Sequence, residues 1–203
     1  MPSDYWMPSN ATVAPQNSEQ YSVGLAKTFN HGMFELSLES YFKSLENIID
    51  FKPGESLLGN LDSWENVIET NGTGQNYGIE LFLQKLTGKT TGWLGATISK
   101  AERQFDNINN GNPYPYTYDR LLDFSVVINH RIKENLTLSA TWTYGTGYPI
   151  TLATEHYFIN DQDIFVYGEK NSFRMRDYHR LDVSSNFTKK TKWGERTWNI
   201  SIF

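Results

Sequence analysis

The chain has 203 residues, 15% of them aromatic and 20% charged, no cysteine, and a formal net charge of -5 from 18 basic and 23 acidic side chains. An acidic balance argues against a nucleic-acid partner, which would demand a basic patch, and the lack of thiols removes disulfide frameworks and thiolate metal sites. Mean hydropathy is -0.54 and no run approaches the roughly eighteen apolar residues of a transmembrane helix, so a helical membrane protein is excluded as well.

The first predicted strand runs from about Gln20 to Phe29, with Tyr21, Val23, Leu25 and Phe29 opposite Ser22, Gly24, Ala26 and Thr28. It closes at Asn30-His31-Gly32, a tight-turn signal, and makes a hairpin with a second strand, Met33 to Lys43. There Phe34, Leu36, Leu38, Ser40 and Phe42 alternate with Glu35, Ser37, Glu39, Tyr41 and Lys43, so one face wants hydrocarbon and the other water. Globular strands usually span about five or six residues, whereas a tilted strand crossing a bilayer needs roughly nine to eleven. The second strand has the longer kind of length.

A long connection, Ser44 to Asn71, leads to a third strand at about Gly74 to Leu86 and, past Thr87-Gly88-Lys89, a fourth at Thr91 to Arg103. A second long connection, Gln104 to Tyr118, precedes a fifth strand at Asp119 to Ile132. The turn Lys133-Glu134-Asn135 leads to a sixth, Leu136 to Tyr144. After a third long connection, Gly145 to Asp177, come a seventh strand at Tyr178 to Phe187, a basic turn carrying Lys189, Lys190 and Lys192, and an eighth at Thr197 to Phe203. Connections therefore read short, long, short, long, short, long, short. Transmembrane barrels show this asymmetry, with short periplasmic turns, long extracellular loops, aromatic girdles and a polar lumen that lowers the average hydropathy. The expected fold class is all-β, an antiparallel transmembrane β-barrel, with residues 1–19 as an entering loop and 20–203 as barrel.

Four stretches in order carry a family resemblance: GQNYGIEL from Gly74, GWLGATISKAER from Gly92, Tyr118-Asp119-Arg120 followed by Asp123-Phe124-Ser125-Val126, and YGTGYPITL from Tyr144. Together they resemble the C-terminal barrel region of TonB-dependent outer-membrane receptors, especially those with an N-terminal carboxypeptidase-regulatory-like domain. The resemblance implies a barrel of about 22 strands filled by a plug, of which eight strands would be the C-terminal third. It further implies uptake of a scarce nutrient of the siderophore, cobalamin or glycan class across a Gram-negative outer membrane. The implied partners are outer-membrane lipid, the plug, the remaining strands, TonB acting through an N-terminal part, and a surface lipoprotein. The opening MPSDYWMPSN has no basic n-region and apolar h-region. An export signal is therefore expected upstream of this chain.

Candidate ligand-facing residues are the loop aromatics Tyr114, Tyr116, Tyr118, Tyr148 and Phe173, because flat rings stack on flat ligands, although packing and girdle roles compete. Glu80, Arg120, Asp123, Arg180 and Asp182 are expected to face the lumen and plug, with inter-strand ion pairing as their commoner use. His31, His130, His156 and His179 lack metal-ligand spacing, and Asn160, Asp161 and Asp163 hint at calcium only faintly without the glycine and glutamate of an EF-hand. No catalytic constellation is readable, so neither an enzyme nor a cofactor is expected. Two rivals remain at this point: a self-contained eight-stranded outer-membrane barrel with a structural or adhesion role, and a secreted carbohydrate-binding β-sandwich.

Overall fold

The computed structural model describes residues 9–55 and 61–203. Its strands are β1 (Asn17–Phe29), β2 (Phe34–Phe51), β3 (Ile68–Lys85), β4 (Thr90–Gln104), β5 (Tyr114–Pro115), β6 (Leu122–Lys133), β7 (Leu136–Gly145), β8 (Pro149–Ile150), β9 (Ala153–Ile159), β10 (Gln162–Tyr167), β11 (Phe173–Arg174), β12 (Tyr178–Thr191) and β13 (Gly194–Ile202). One antiparallel sheet takes the order β1-β2-β3-β4-β6-β7-β12-β13, with β5 beside the end of β4. These eight main strands are the eight read from the alternation.

Pairing merges each strand's alternation into rows that cross the whole sheet. Lys27, Leu36, Leu83, Leu94, Val126, Trp142 and Leu181 stand opposite one another in one row. The adjacent row on the other face is Ala26, Ser37, Phe82, Gly95, Ser125, Thr143 and Arg180. The first row starts near the short-turn end of β1 and finishes near the long-connection end of β12. That stagger is the shear a tilted, barrel-forming sheet requires.

The apolar rows are not sealed between two sheets. Val23, Leu25, Ile79, Ile98, Leu181 and Ile200 all present more than half of their surface, which excludes the sandwich, since its apolar faces would meet. Nor does the sheet close on itself: β1 pairs only with β2, and β13 only with β12. The self-contained eight-stranded barrel is corrected on this point, because closure would require a ladder between the two outer strands.

The buried apolar residues gather at the long-connection end. Ile48, Phe105, Ile108 and Tyr114, with Leu45 against them, form one cluster; Val13, Val67 and Ile68, with Trp64, form another. The entering segment is held there by Asn10, whose side-chain oxygen accepts from the amides of Thr12 and Val13, both at 2.8 Å, the local turn that asparagine favours.

Four boundaries differ from the sequence reading. The fifth strand begins at Leu122 and not at Asp119, because the chain turns through Thr117 and Tyr118, where the Asp119 amide donates to the Tyr116 carbonyl. The connection expected at Ser44 to Asn71 is strand at both ends, because β2 continues to Phe51 and β3 begins at Ile68. Register shifts between Leu45 and Asp50, with Asn47 at a positive φ of 55°, break the alternation, so period-two reading loses the strand there. The third connection holds the β9–β10 hairpin, turning at Asn160-Asp161 with φ of 53° and 59°. Its consecutive apolar residues hide the period, while the paired positive φ values mark a type I′-like turn. Finally, Lys189 and Lys190 belong to β12, and the turn is tighter than expected.

Candidate functional site

The rim at the long-connection end holds most of the ion pairs among the described residues. Tyr118 and Arg120 sit just before β6, on the segment that folds back over β4. With Tyr41, Asn76, Glu39 and Glu80 they line a concavity of about 390 Å³ on the polar face. Three of the residues singled out from sequence, Glu80, Tyr118 and Arg120, are thus brought together. Tyr118 is 72% exposed, and Tyr116 meets it edge-on at 5.4 Å between ring centroids.

Arg120 is held from two sides. Its guanidinium pairs with Asp123 and lies 4.5 Å from the centre of the Tyr148 ring, while its Nε is buried without a partner among the described residues. Arg103 lies 4.1 Å from the centre of the Tyr116 ring. Such stacking suits arginine, whose planar, weakly hydrated cation gains from the ring's negative face. Burial pushes the Tyr116 phenol up, against the opposing pull of Arg103.

Beside this rim, a buried carboxylate ties two long connections together. Asp119 is 2% exposed; it accepts from the Ala101 amide at 2.7 Å and from Arg174 at 2.5 Å. Arg174 also donates to the Gly147 carbonyl at 2.8 Å. Asp177 accepts from the Tyr144 hydroxyl at 2.5 Å and the Gly147 amide at 3.1 Å, and these bonds, the tyrosine first, hold its carboxyl below the ordinary range. Gly147 has no room for a side chain, since a methyl there would sit 1.9 Å from the Met175 carbonyl oxygen.

A second tie anchors the same connection to β2. Lys170 pairs with Asp50 at 2.6 Å and donates to the Phe51 carbonyl, and Asp50 also accepts the Tyr114 hydroxyl at 2.7 Å. The Asn109 side chain bonds both the amide and the carbonyl of Lys170, at 2.7 and 3.0 Å, and Asn171 donates to the Pro115 carbonyl at 2.8 Å.

The remaining sequence candidates separate. Tyr114 is 1% exposed within the rim core, its phenol pushed up by burial and by the bond to Asp50, so its ring is packing. Phe173 is half exposed and pairs through β11 with Ile150. Arg180 and Asp182 pair with each other along β12 at 2.8 Å and line a separate concavity of about 300 Å³ with Thr141 and Phe203. For these candidates the ion pairs are local in the chain, Arg180 with Asp182 along β12 and Arg120 with Asp123 at the start of β6, not across neighbouring strands. Asp163 bonds His156 across the β9–β10 hairpin at 2.7 Å, and Asn160 and Asp161 form its turn.

Sequence reading missed Arg103, Lys170, Asp50, Asn109 and Asn171. Only the asparagines left a signal, as residues tolerant of the positive φ that Asn109 and Asn171 adopt, 49° and 55°.

An open antiparallel sheet with one apolar and one polar face, short turns at one end and ionic long loops at the other, defines the class of outer-membrane-type barrel walls. No helix among the described residues is long and apolar enough to cross a membrane. The family profile described as TonB dependent receptor-like, beta-barrel matches residues 1–203. The chain belongs to that family.

No curated protein matches the chain. Among solved structures, it is similar to the ferripyoverdine receptor of the outer membrane of Pseudomonas aeruginosa, bound to ferripyoverdine, with a TM-score of 0.59 and 15% identity over 92% of this chain and 23% of that one. It is similar also to the ferric-catecholate import receptor Fiu from E. coli K12, with a TM-score of 0.58 and 12% identity over 91% of this chain and 23% of that one. A third is the FrpB iron transporter from Neisseria meningitidis, with a TM-score of 0.58 and 14% identity over 95% of this chain and 27% of that one. The chain thus spans about a quarter of the length of these receptors.

Proposed function

We propose that this chain supplies part of the barrel wall and ligand-facing rim of a TonB-dependent receptor that imports a scarce nutrient of the siderophore, cobalamin or glycan class across a Gram-negative outer membrane. The observation that carries the reading is the pair of opposite faces shared by eight paired strands, in a chain matched by the family along its whole length. The apolar face meets lipid, the polar face meets a plug, and further strands continue the ladders at β1 and β13, because unpaired backbone groups have no water partner in hydrocarbon. Energy comes from TonB acting on an N-terminal part of the parent protein. A surface lipoprotein is a further partner at the long loops.

Within this reading Arg120 and Tyr118 contact the ligand: one offers the positive charge of a ring-stacked guanidinium, the other an exposed ring over the concavity they share. The role is transport, with no catalytic group. The test is deletion of the gene in its host, followed by growth on limiting ferric siderophores, cobalamin or glycans as the limiting nutrient. Loss of growth on one class, restored by the intact gene and weakened by Arg120→Ala, is expected. Unchanged growth on every class overturns the proposal.

A further inference from the structure

The lipid-facing side of the sheet is charged differently at its two ends. At the short-turn end it carries Lys27, Lys85, Lys133, Lys189 and Arg196, each within two residues of the end of its strand. Register fixes their side: Lys27 stands opposite Leu36, Lys85 opposite Phe34, Lys133 opposite Leu136, and Lys189 opposite Arg196, two places beyond the Phe187 and Trp198 pair. The acids nearby point elsewhere. Glu35 stands opposite Thr28 and Gln84 and Glu195 opposite Lys190, all on the polar face, and Glu134 lies in a turn.

None of the five basic side chains joins an ion pair among the described residues, whereas on the same face at the other end Lys100 is neutralised by Glu102 at 2.9 Å and Glu19 and Glu46 add negative charge. This belt of cationic side chains interleaves with Phe29, Phe34, Phe187 and Trp198: Lys85 shares the row of Phe29 and Phe34, Lys27 lies two residues inside it, and Lys189 and Arg196 lie two residues beyond Phe187 and Trp198. That is the form that snorkelling takes, with stems along apolar surface and heads reaching the depth of lipid phosphates. Uncompensated, the belt would repel itself; covered by anionic headgroups, it is neutralised.

We propose that this belt binds the phosphates of anionic phospholipid headgroups in the leaflet at the short-turn end, and so makes the chain select anionic over zwitterionic lipid. The inference rests on the membrane reading above and adds a side and a lipid chemistry to it. Each basic group held near an anionic surface contributes about a fivefold gain in binding at low salt, so the five together dominate any lipid preference.

The test dilutes the full chain from urea onto preformed vesicles, either pure phosphatidylcholine or the same lipid with a third phosphatidylglycerol, and measures the fraction that floats with lipid. Flotation with both, at least tenfold stronger with the anionic vesicles and falling towards the neutral value in 0.5 M salt, is expected. K189Q/R196Q should cut the anionic preference by tenfold or more, K189R/R196Q should cut it less than the double glutamine variant, and K100Q at the opposite rim should leave it unchanged. Equal flotation with both vesicle types overturns the belt alone; flotation with neither overturns the membrane reading, and the belt with it.

Discussion

Removing the arginine that faces Asp119 should loosen the long connection between β7 and β12 without disturbing the sheet. Asp119 is nearly inaccessible and accepts two bonds, from Ala101 and Arg174. In Arg174→Ala the carboxylate keeps the first and loses the charge that balances it. Breaking a buried pair costs about 3–5 kcal/mol, but the Arg174 side chain is a quarter exposed, so water compensates in part and about 2–3 kcal/mol is the reasoned loss. That energy belongs to local opening, because the pair joins loops and leaves the strand ladders intact. Amide hydrogen exchange reads it directly: Gly147 and Met175, whose amides bond Asp177 and the Tyr148 carbonyl, should exchange about 30- to 150-fold faster, while Val126 and Leu138 amides stay unchanged. Asp119→Ala should do the same, and the double variant should show a coupling of at least about 1 kcal/mol. Additive effects within about 0.5 kcal/mol would refute the argument that the two groups act as one tie.

Gly147→Ala forces a methyl against the Met175 carbonyl and should destabilise the same loop by about 1–3 kcal/mol, seen as faster proteolysis between 147 and 175; Gly24→Ala, whose nearest neighbour atom would be 3.7 Å away, should be neutral within about 0.5 kcal/mol. Because the Asp177 carboxyl is held below its ordinary value by Tyr144 and Gly147, its stabilisation is complete above the unfolded value of about 3.9 and is lost as pH falls through the lower folded value. Loop protection followed by exchange from pH 6 to 3 should therefore drop only at the acid end, and Asp177→Asn should flatten the drop. On the apolar face Val126→Arg should cost about 2–4 kcal/mol in lipid. Thr141→Lys, on the polar face opposite Asp182, should cost little, as measured by urea titration of tryptophan fluorescence in vesicles; equal costs would contradict the assignment of faces.

The alternation from Tyr21 onward determined a great deal alone: the number of main strands, the parity of the connections and which side chains share a face all follow from a period of two, since neighbouring residues on a strand must point oppositely. It could not place the rim. Whether Tyr114 faces a ligand or a core, whether Arg120 stacks on Tyr148, and that Lys170 reaches back to Asp50 are contacts between residues far apart in the chain. Local pattern carries no information about them. The tertiary structure decided them through register shifts near Asn47 and left-handed turns at Asn109 and Asn171, which bend the strand ends and loops into the small buried cluster at the rim. Periodicity belongs to the backbone of a single strand, while the rim is made where backbones stop being regular and distant side chains must satisfy one another.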